Sequence, residues 1–272
     1  MGARRDGGWA RAAVLGVALA FLGAVVVLPV LAVFAKALEN GVVAYASALV
    51  EPDTLAALRL TLLIAAIVVP VNTVFGLAAG WAVGKFDFRG KTFLTSLIEI
   101  PFAVSPVISG LVFVLAAGPR SVLGSWLLTH GVRVIFAWPG IALATAFVTF
   151  AYVAREVITV MEASGRQQEE AAVVLGASGW QTFRRVTLPT IRWGVLYGVV
   201  LCNARAMGEF GAVSVVSGHV RGKTNTLPLQ VEMLYDDYRP SAAFAVASML
   251  VCLAVVTLVA KVLLERKRKD LS

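Results

Sequence analysis

Acidic residues, cysteine and histidine are scarce in this chain of 272 residues: Asp and Glu together number 16, cysteine two and histidine two. Each shortage removes a class of chemistry. Cys202 and Cys252 both fall inside apolar runs, so they read as small apolar residues and not as a disulfide. His130 and His219 are isolated in the sequence, with no metal-ligand cluster beside them. The nearest approach to a phosphate loop, GWAVGK at 80–85, has the wrong spacing and no following Ser or Thr. The chain is therefore expected to bind neither ATP nor another cofactor. An enzyme working inside the apolar runs would need a convergent nucleophile and base, and only Glu and Arg are available there.

Charge is short overall. Charged residues make up 15% and hydrophobic residues 59% of the chain, against about 25% and roughly 45–50% in an ordinary soluble domain. The main solvent must be lipid. Six apolar stretches, at approximately 12–35, 57–84, 93–117, 138–161, 190–216 and 242–264, approach or exceed the ~20 residues that cross a bilayer as helix. The expected fold is all-α: a tail over 1–11, a six-span membrane domain over 12–264 and a basic tail over 265–272. Arg4, Arg5 and Arg11 precede the first stretch as in a signal sequence. Its length far exceeds the roughly 7–15 apolar residues of such a sequence, which predicts an uncleaved anchor.

The net charge of +8 admits nucleic acid as a partner, so the distribution of the basic residues decides. With the N-terminus inside, 15 Lys and Arg fall in the inner segments and 7 in the outer segments and their edges. That excess predicts a multi-pass protein of the cell membrane with both termini cytoplasmic. Arg155 and Arg205 remain within spans.

On this topology the longest inner polar interval between spans is 164–189, SGRQQEEAAVVLGASGWQTFRRVTLP. Ser164 with Gln167 and Ser178 with Gln181 have the spacing of capping boxes, Glu169 and Glu170 suit a helix N-terminus, and Gly176 suits a stop. A short helix, a turn and a second helix ending at Leu188 and Pro189 are expected. Ala171, Ala172 and Gly176 give a low-relief face, with Val174, Leu175 and Trp180 as apolar contacts beside it. A DNA-reading helix-turn-helix has a similar outline, but spans tether both ends of this hairpin close to lipid, so nucleic acid is not expected as a partner.

Glu170-Ala171-Ala172, three residues, Gly176, nine residues, Val186, one residue and Leu188-Pro189 resemble the EAA loop of the permeases of binding-protein-dependent ABC importers, with Val186 where isoleucine is commoner. The stretches FDFRGK at 86–91, EIPFAVSPVISGLVF at 99–113, 176–218 and TLPLQVEMLYDDY at 226–238 are similar to the sulfate/thiosulfate permeases of that family. Molybdate and tungstate permeases share a related element, here Arg205, Gly208, Glu209, Phe210 and Gly211, while the block around Pro101 and Pro106 favours the sulfate type. The resemblance implies the type I importer permease fold and an inward transport of sulfate or thiosulfate. It implies as partners a cytoplasmic ATPase dimer that binds the ATP, a second homologous permease and an extracytoplasmic sulfate-binding protein. It makes 164–189 the coupling helix, with Glu170, Ala171, Ala172, Leu175 and Gly176 docking on the ATPase and Leu188 and Pro189 setting the turn into span five.

Within the spans, Arg205 and Glu209 are four residues apart, on one helix face if the helix continues. Either they neutralise each other and fix packing, or Arg205 lowers the barrier for an anion while Glu209 holds or releases it. Pro101 and Pro106 disrupt span three, where Ser105 and Ser109 could offer hydroxyls to an oxyanion or bond to their own backbone. Pro70, with Asn72 and Thr73, makes a weaker case of the same kind in span two. Glu99 and Arg155 lie at equal depth, about 9 Å from the inner edge, and are expected to form an inner-gate pair. Gly76, Gly80 and Gly84 make a smooth stripe, for a neighbouring span or a second permease. Leu227 to Tyr235 is expected as an outer helix meeting the binding protein. A passive anion channel remains the alternative of another class, but it leaves the inner hairpin without a purpose.

Overall fold

The computed structural model describes residues 8–269, with the side chains of 11–263 and Arg266 among them. Arg4 and Arg5, most of the expected N-terminal tail, the side chains of Lys267, Arg268 and Lys269, and residues 270–272 lie outside the described residues. Among the described residues fourteen α-helices follow one another in chain order: α1 Gly8–Leu22, α2 Leu28–Ala37, α3 Gly41–Val50, α4 Pro52–Lys85, α5 Lys91–Ala103, α6 Pro106–Ala117, α7 Val122–Thr129, α8 Trp138–Ser164, α9 Gln167–Val174, α10 Gly179–Thr182, α11 Leu188–Met207, α12 Gly211–Ser217, α13 Leu227–Asp236 and α14 Pro240–Lys269. Among the described residues there is no strand.

Four helical stretches are long and apolar enough to cross a membrane: Arg11–Ala37, Pro52–Lys85, Trp138–Ser164 and Pro240–Leu263. Two bent pairs, α5 with α6 and α10–α11 with α12, bring the number to six if each is one span. The bends are 108° and 51°. Pro70 lies within α4 without interrupting it, contrary to the weaker of the two proline readings. α14 runs on to Lys269, so the first residues of the expected basic tail are helical.

The core is built on α8, which α4 and α11 flank. Glycine makes both contacts possible. A Cβ on Gly76 or Gly80 of α4 would lie 2.8 or 2.7 Å from the Cβ of Val153 or Val157, and one on Gly84 2.9 Å from that of Met161. The glycine stripe thus packs inside this chain. On the other side, a Cβ on Gly194 would meet Val160 at 2.6 Å, and one on Gly198 the backbone of Val153 at 3.0 Å. Asn72 pins the three helices together, donating to the Ala146 carbonyl at 3.0 Å and to Thr149 Oγ1 at 2.9 Å, with Cys202 Sγ at 3.8 Å. Cys202 is buried, Cys252 is exposed, and both are free.

At the opposite end from the hairpin, α13 buries Leu227, Leu229, Gln230 and Leu234, and its first N–H donates to Thr61 of α4 at 2.8 Å. His219 is not isolated there: its Nε2 lies 3.4 Å from Glu232.

Candidate functional site

The hairpin between α8 and α11 is built largely as its residues dictate. α8 extends to Ser164, whose hydroxyl donates to the Val160 carbonyl at 2.7 Å. The expected Ser164–Gln167 box therefore does not form; Arg166 occupies the N-cap position of α9, after a turn at Gly165 with φ +67°. α9 ends as expected. Gly176 sits at φ +87°, its N–H donates to Val173 and that of Ala177 to Ala172, the paired bonds of a Schellman turn. The Ser178–Gln181 box is complete.

Pro189 does not end the second limb. A π-helical turn over Phe183–Thr187 precedes α11, and the Leu188 N–H reaches back to the Phe183 carbonyl. The wider turn accommodates the proline ring and its missing donor, so one helix runs from Gly179 to Met207. The same device, a π turn over Gly23–Val27, stands before Pro29.

Two charged groups fasten the hairpin base. Glu169 is 6% exposed, and its carboxylate takes the Lys85 ammonium from the end of α4 and the Thr187 hydroxyl from the π turn. Arg166 donates to Asp87 at 3.0 Å, and Lys91 of α5 to the same carboxylate at 3.2 Å. The Lys91 ammonium and then the Arg166 guanidinium hold the Asp87 carboxyl below its usual range. Sequence reasoning assigned Glu169 only to the helix dipole. Nothing in the sequence distinguishes it from the adjacent Glu170.

The tip is bare. Val174 and Leu175 are 86% and 87% exposed, and Glu170, Ala171 and Gly176 are exposed with them. Leu188 and Pro189 stand apart in the first turn of α11. Trp180, grouped with the tip by sequence, instead stacks on Phe183, their centroids 5.6 Å apart, and Phe183 lies 4.8 Å from Trp81 of α4.

The second region joins the two bends. Pro106 forces Ser105 into extended backbone with ψ 134°, ending α5 at Ala103. Against this break lies the one at Gly208–Phe210. A Cβ on Gly211 would meet Pro106 at 3.1 Å, and one on Gly110 the Ala212 carbonyl oxygen at 2.8 Å. Glu209 therefore sits beyond the end of α11, in the bend, and not on one continuous helix with Arg205. The pair forms nonetheless, Arg205 Nη1 to Glu209 Oε2 at 2.5 Å. Glu209, 1% exposed, also accepts from the Ala212 N–H at 2.9 Å and so caps α12. Ser109 donates to the Ser105 carbonyl at 3.2 Å, the local bond open to it from the sequence, while Ser105 is exposed.

Glu99 and Arg155 are not brought together. Among the described residues no ion pair joins them, and the Arg155 guanidinium lies 5.5 Å from the centroid of Phe102. Equal depth does not give equal azimuth: Ile98 faces Ala151 and Ala154 of α8, which turns the next residue, Glu99, about 100° away and leaves it exposed.

Residues 73–270 match the family model described as the binding-protein-dependent transport system inner membrane component. The chain is 48% identical over 257 residues to the sulfate transport system permease protein CysW of Escherichia coli (strain K12), covering 94% of this chain and 88% of that one. It is 51% identical over 253 residues to the protein of the same name from Synechocystis sp., with 93% and 92% covered. Among solved structures, a chain of a bacterial alginate ABC transporter in complex with an alginate pentasaccharide-bound periplasmic protein superposes with a TM-score of 0.78 at 15% identity, over 97% of this chain and 95% of that one.

Proposed function

This chain belongs to the family of binding-protein-dependent transport system inner membrane components, and on that footing we propose how its hairpin and its paired bends serve transport. It is a multi-pass inner-membrane permease subunit of an ABC importer for sulfate, a transport subunit and not an enzyme. A separate ATPase hydrolyses the ATP, and both termini face the cytoplasm. The exposed tip of Ala171, Val174, Leu175 and Gly176 seats in that ATPase, beside Glu170 and Ala172. Leu188 and Pro189 carry the movement into α11. A second, related permease completes the pathway, and a sulfate-binding protein delivers the anion, thiosulfate included, from outside.

One observation carries this reading: a bare apolar tip on a hairpin whose base is ion-paired to α4 and to Asp87 of the α4–α5 loop. Apolar side chains so exposed at the end of a rigid support mark a protein contact. Because Glu169 and Asp87 tie the base to two membrane helices, a pull on the tip is passed to the core instead of bending the loop. Arg205 lowers the electrostatic cost of a dianion crossing beside the two bends, and Glu209 takes the arginine back when the anion leaves. Ser105, exposed at the facing break, offers the anion a hydroxyl, while the Ser109 hydroxyl stays on the Ser105 carbonyl.

The test is a disulfide. With Ala172→Cys and cysteines placed along the ATPase surface, oxidation of inside-out vesicles is expected to join the two subunits in a nucleotide-dependent way. Release of sulfate from the same vesicles, loaded with binding protein and sulfate, is expected to require ATP. Labelling of the Ala172→Cys variant from outside intact cells, or sulfate release from the vesicles without ATP, would overturn the proposal.

A further inference from the structure

Arg155, which Glu99 does not meet, is an exposed cation inside a membrane-spanning helix, about 9 Å from its inner edge. The packing of α8 fixes which way it faces. Ala151 and Ala154 pack with Ile98 of α5, and a Cβ on Gly198 of α11 would lie 3.3 Å from the Cβ of Glu156 and 3.4 Å from the Tyr152 carbonyl oxygen. Arg155 falls between these two contacts on the helix, at the opening between α5 and α11. Thr159 and Glu162, four and seven residues on, are exposed with it, so α8 carries a polar stripe there. The exposed face of α14 is instead Val255, Val256, Leu258, Val259 and Leu263, as lipid requires.

The Arg155 side chain does not reach for the inner headgroups. On the proposed orientation α8 runs from outside to inside, and helix side chains tilt toward the N-terminus, which carries the guanidinium away from the cytoplasm. It lies 5.5 Å from the centroid of the Phe102 ring, which Tyr152 meets edge-on at 5.1 Å. Among the described residues no carboxylate forms an ion pair with it. Phe102 adjoins Ala103, where α5 ends at the break that exposes Ser105. Because Gly198 is level with Val153 and Glu156, Arg205, seven residues further along α11, stands about 10 Å outward of Arg155.

We infer that Arg155 is a second anion-binding station, which receives the tetrahedral dianion from Arg205 and Ser105 on its way inward. The inference rests on the importer reading. A guanidinium positioned by an aromatic ring, and not by a carboxylate, keeps its fork of N–H donors free for two oxygens of an oxyanion. An arginine retained for packing takes a carboxylate, as Arg205 takes Glu209, and one retained for headgroups points toward them. Arg155 does neither. Glu162 lies about 10 Å further inward, too far to neutralise it. Two stations divide the crossing into short steps, so the dianion is never far from a cation.

The test uses the assembled transporter in proteoliposomes, with the ATPase outward and binding protein and sulfate in the lumen. Arg155→Cys is combined with Cys252→Ser, while Cys202 is buried. Water-soluble thiosulfonates added from the ATPase side should label the Arg155→Cys variant in at least one nucleotide state. Before labelling, ATP hydrolysis stimulated by the binding protein should persist, while ATP-driven release of sulfate falls about tenfold or more. A cationic reagent should restore release at least in part, and an anionic reagent of similar size should not. Absence of labelling would mean that lipid or the second permease covers the position, and loss of assembly that Arg155 pairs with that permease. Rescue by both reagents or by neither, or release as fast as in the unaltered complex, would mean that the charge does nothing for the anion. Each of these results overturns the inference. ATP-dependent release by the unaltered complex is measured alongside, so a failure of the importer reading shows there and not in the variant.

Discussion

A carboxylate that is almost wholly buried, as Glu169 is, needs its cation more than the cation needs it. Lys85 keeps about a quarter of its side chain exposed and can turn to water if Glu169 is neutralised. The reverse does not hold. Lys85→Met leaves a buried charge with only the Thr187 hydroxyl, and loss of one partner of a buried pair costs on the order of 3 kcal/mol. Glu169→Gln keeps a hydrogen-bonding group at Thr187 and should cost about 1 kcal/mol. Thermal unfolding of the detergent-solubilised complex should therefore rank Lys85→Met below Glu169→Gln, and the reverse order would show that the pair does not anchor the hairpin. Asp87 acts in a different pH range from an unpaired carboxylate. Because its folded value is depressed, the bonds to Lys91 and Arg166 contribute fully above the ordinary value of 3.8 and are lost only as pH falls through the lower folded one. Protection factors of the α9 amides, exchange rates corrected for their intrinsic pH dependence, should thus stay constant from neutral pH down to the ordinary carboxylate range and fall only below it. Earlier fraying would show that Asp87 carries no such load. At this scale the sequence was readable where a residue speaks for itself, as with Gly176, Ser178 and Gln181. It was silent on Glu169 because two adjacent carboxylates look alike until the helix that carries them is rotated against its neighbours.

For whole elements, composition located the six apolar stretches, and the close approach of α4 to α8 follows from glycine at every fourth position. Substitution there has a defined cost. A Cβ on Gly80 would overlap Val157 at 2.7 Å and the Ala154 carbonyl oxygen at 2.9 Å, and backbone cannot give way as a side chain does. Gly80→Ala should destabilise the subunit by roughly 1–3 kcal/mol. Gly16→Ala, with nothing within 4 Å, should be neutral or slightly stabilising. A difference in melting temperature between the two variants checks this, and equal stability would mean that α4 and α8 stand further apart. Proline was the less readable signal. Pro70 leaves α4 whole, Pro189 is absorbed by a π turn, and Pro106 ends a helix, although the local rule for all three is the same. What differs is tertiary support: at Pro106 a second broken span packs into the gap through Gly211, and a single stretch of sequence cannot announce a partner far along the chain.

In the whole molecule, α4, α8 and α11 form a body locked by interdigitated glycines and by Asn72, while the two sharp bends meet at its flank. The hairpin is fixed to that body, so movement imposed at the tip should be taken up at the bends. Glu209 stands where the bends meet, with one oxygen capping α12 and the other on Arg205. Packing and transport make different demands on this pair, which allows the two roles to be separated. Arg205→Gln alone leaves a fully buried carboxylate without its cation and should cost about 3 kcal/mol, with loss of assembly. Arg205→Gln combined with Glu209→Gln removes both charges, keeps an acceptor for the Ala212 N–H and should restore assembly and nucleotide-stimulated ATP hydrolysis. If the arginine serves only its carboxylate, the double variant should import sulfate as the unaltered protein does. If it eases the passage of a dianion, the double variant should hydrolyse ATP and import little or no sulfate. The second outcome is expected, because Arg205 retains 31% side-chain exposure beside the bends while its partner has none. A group needed for packing alone gains nothing from that access, and a group that meets an anion requires it.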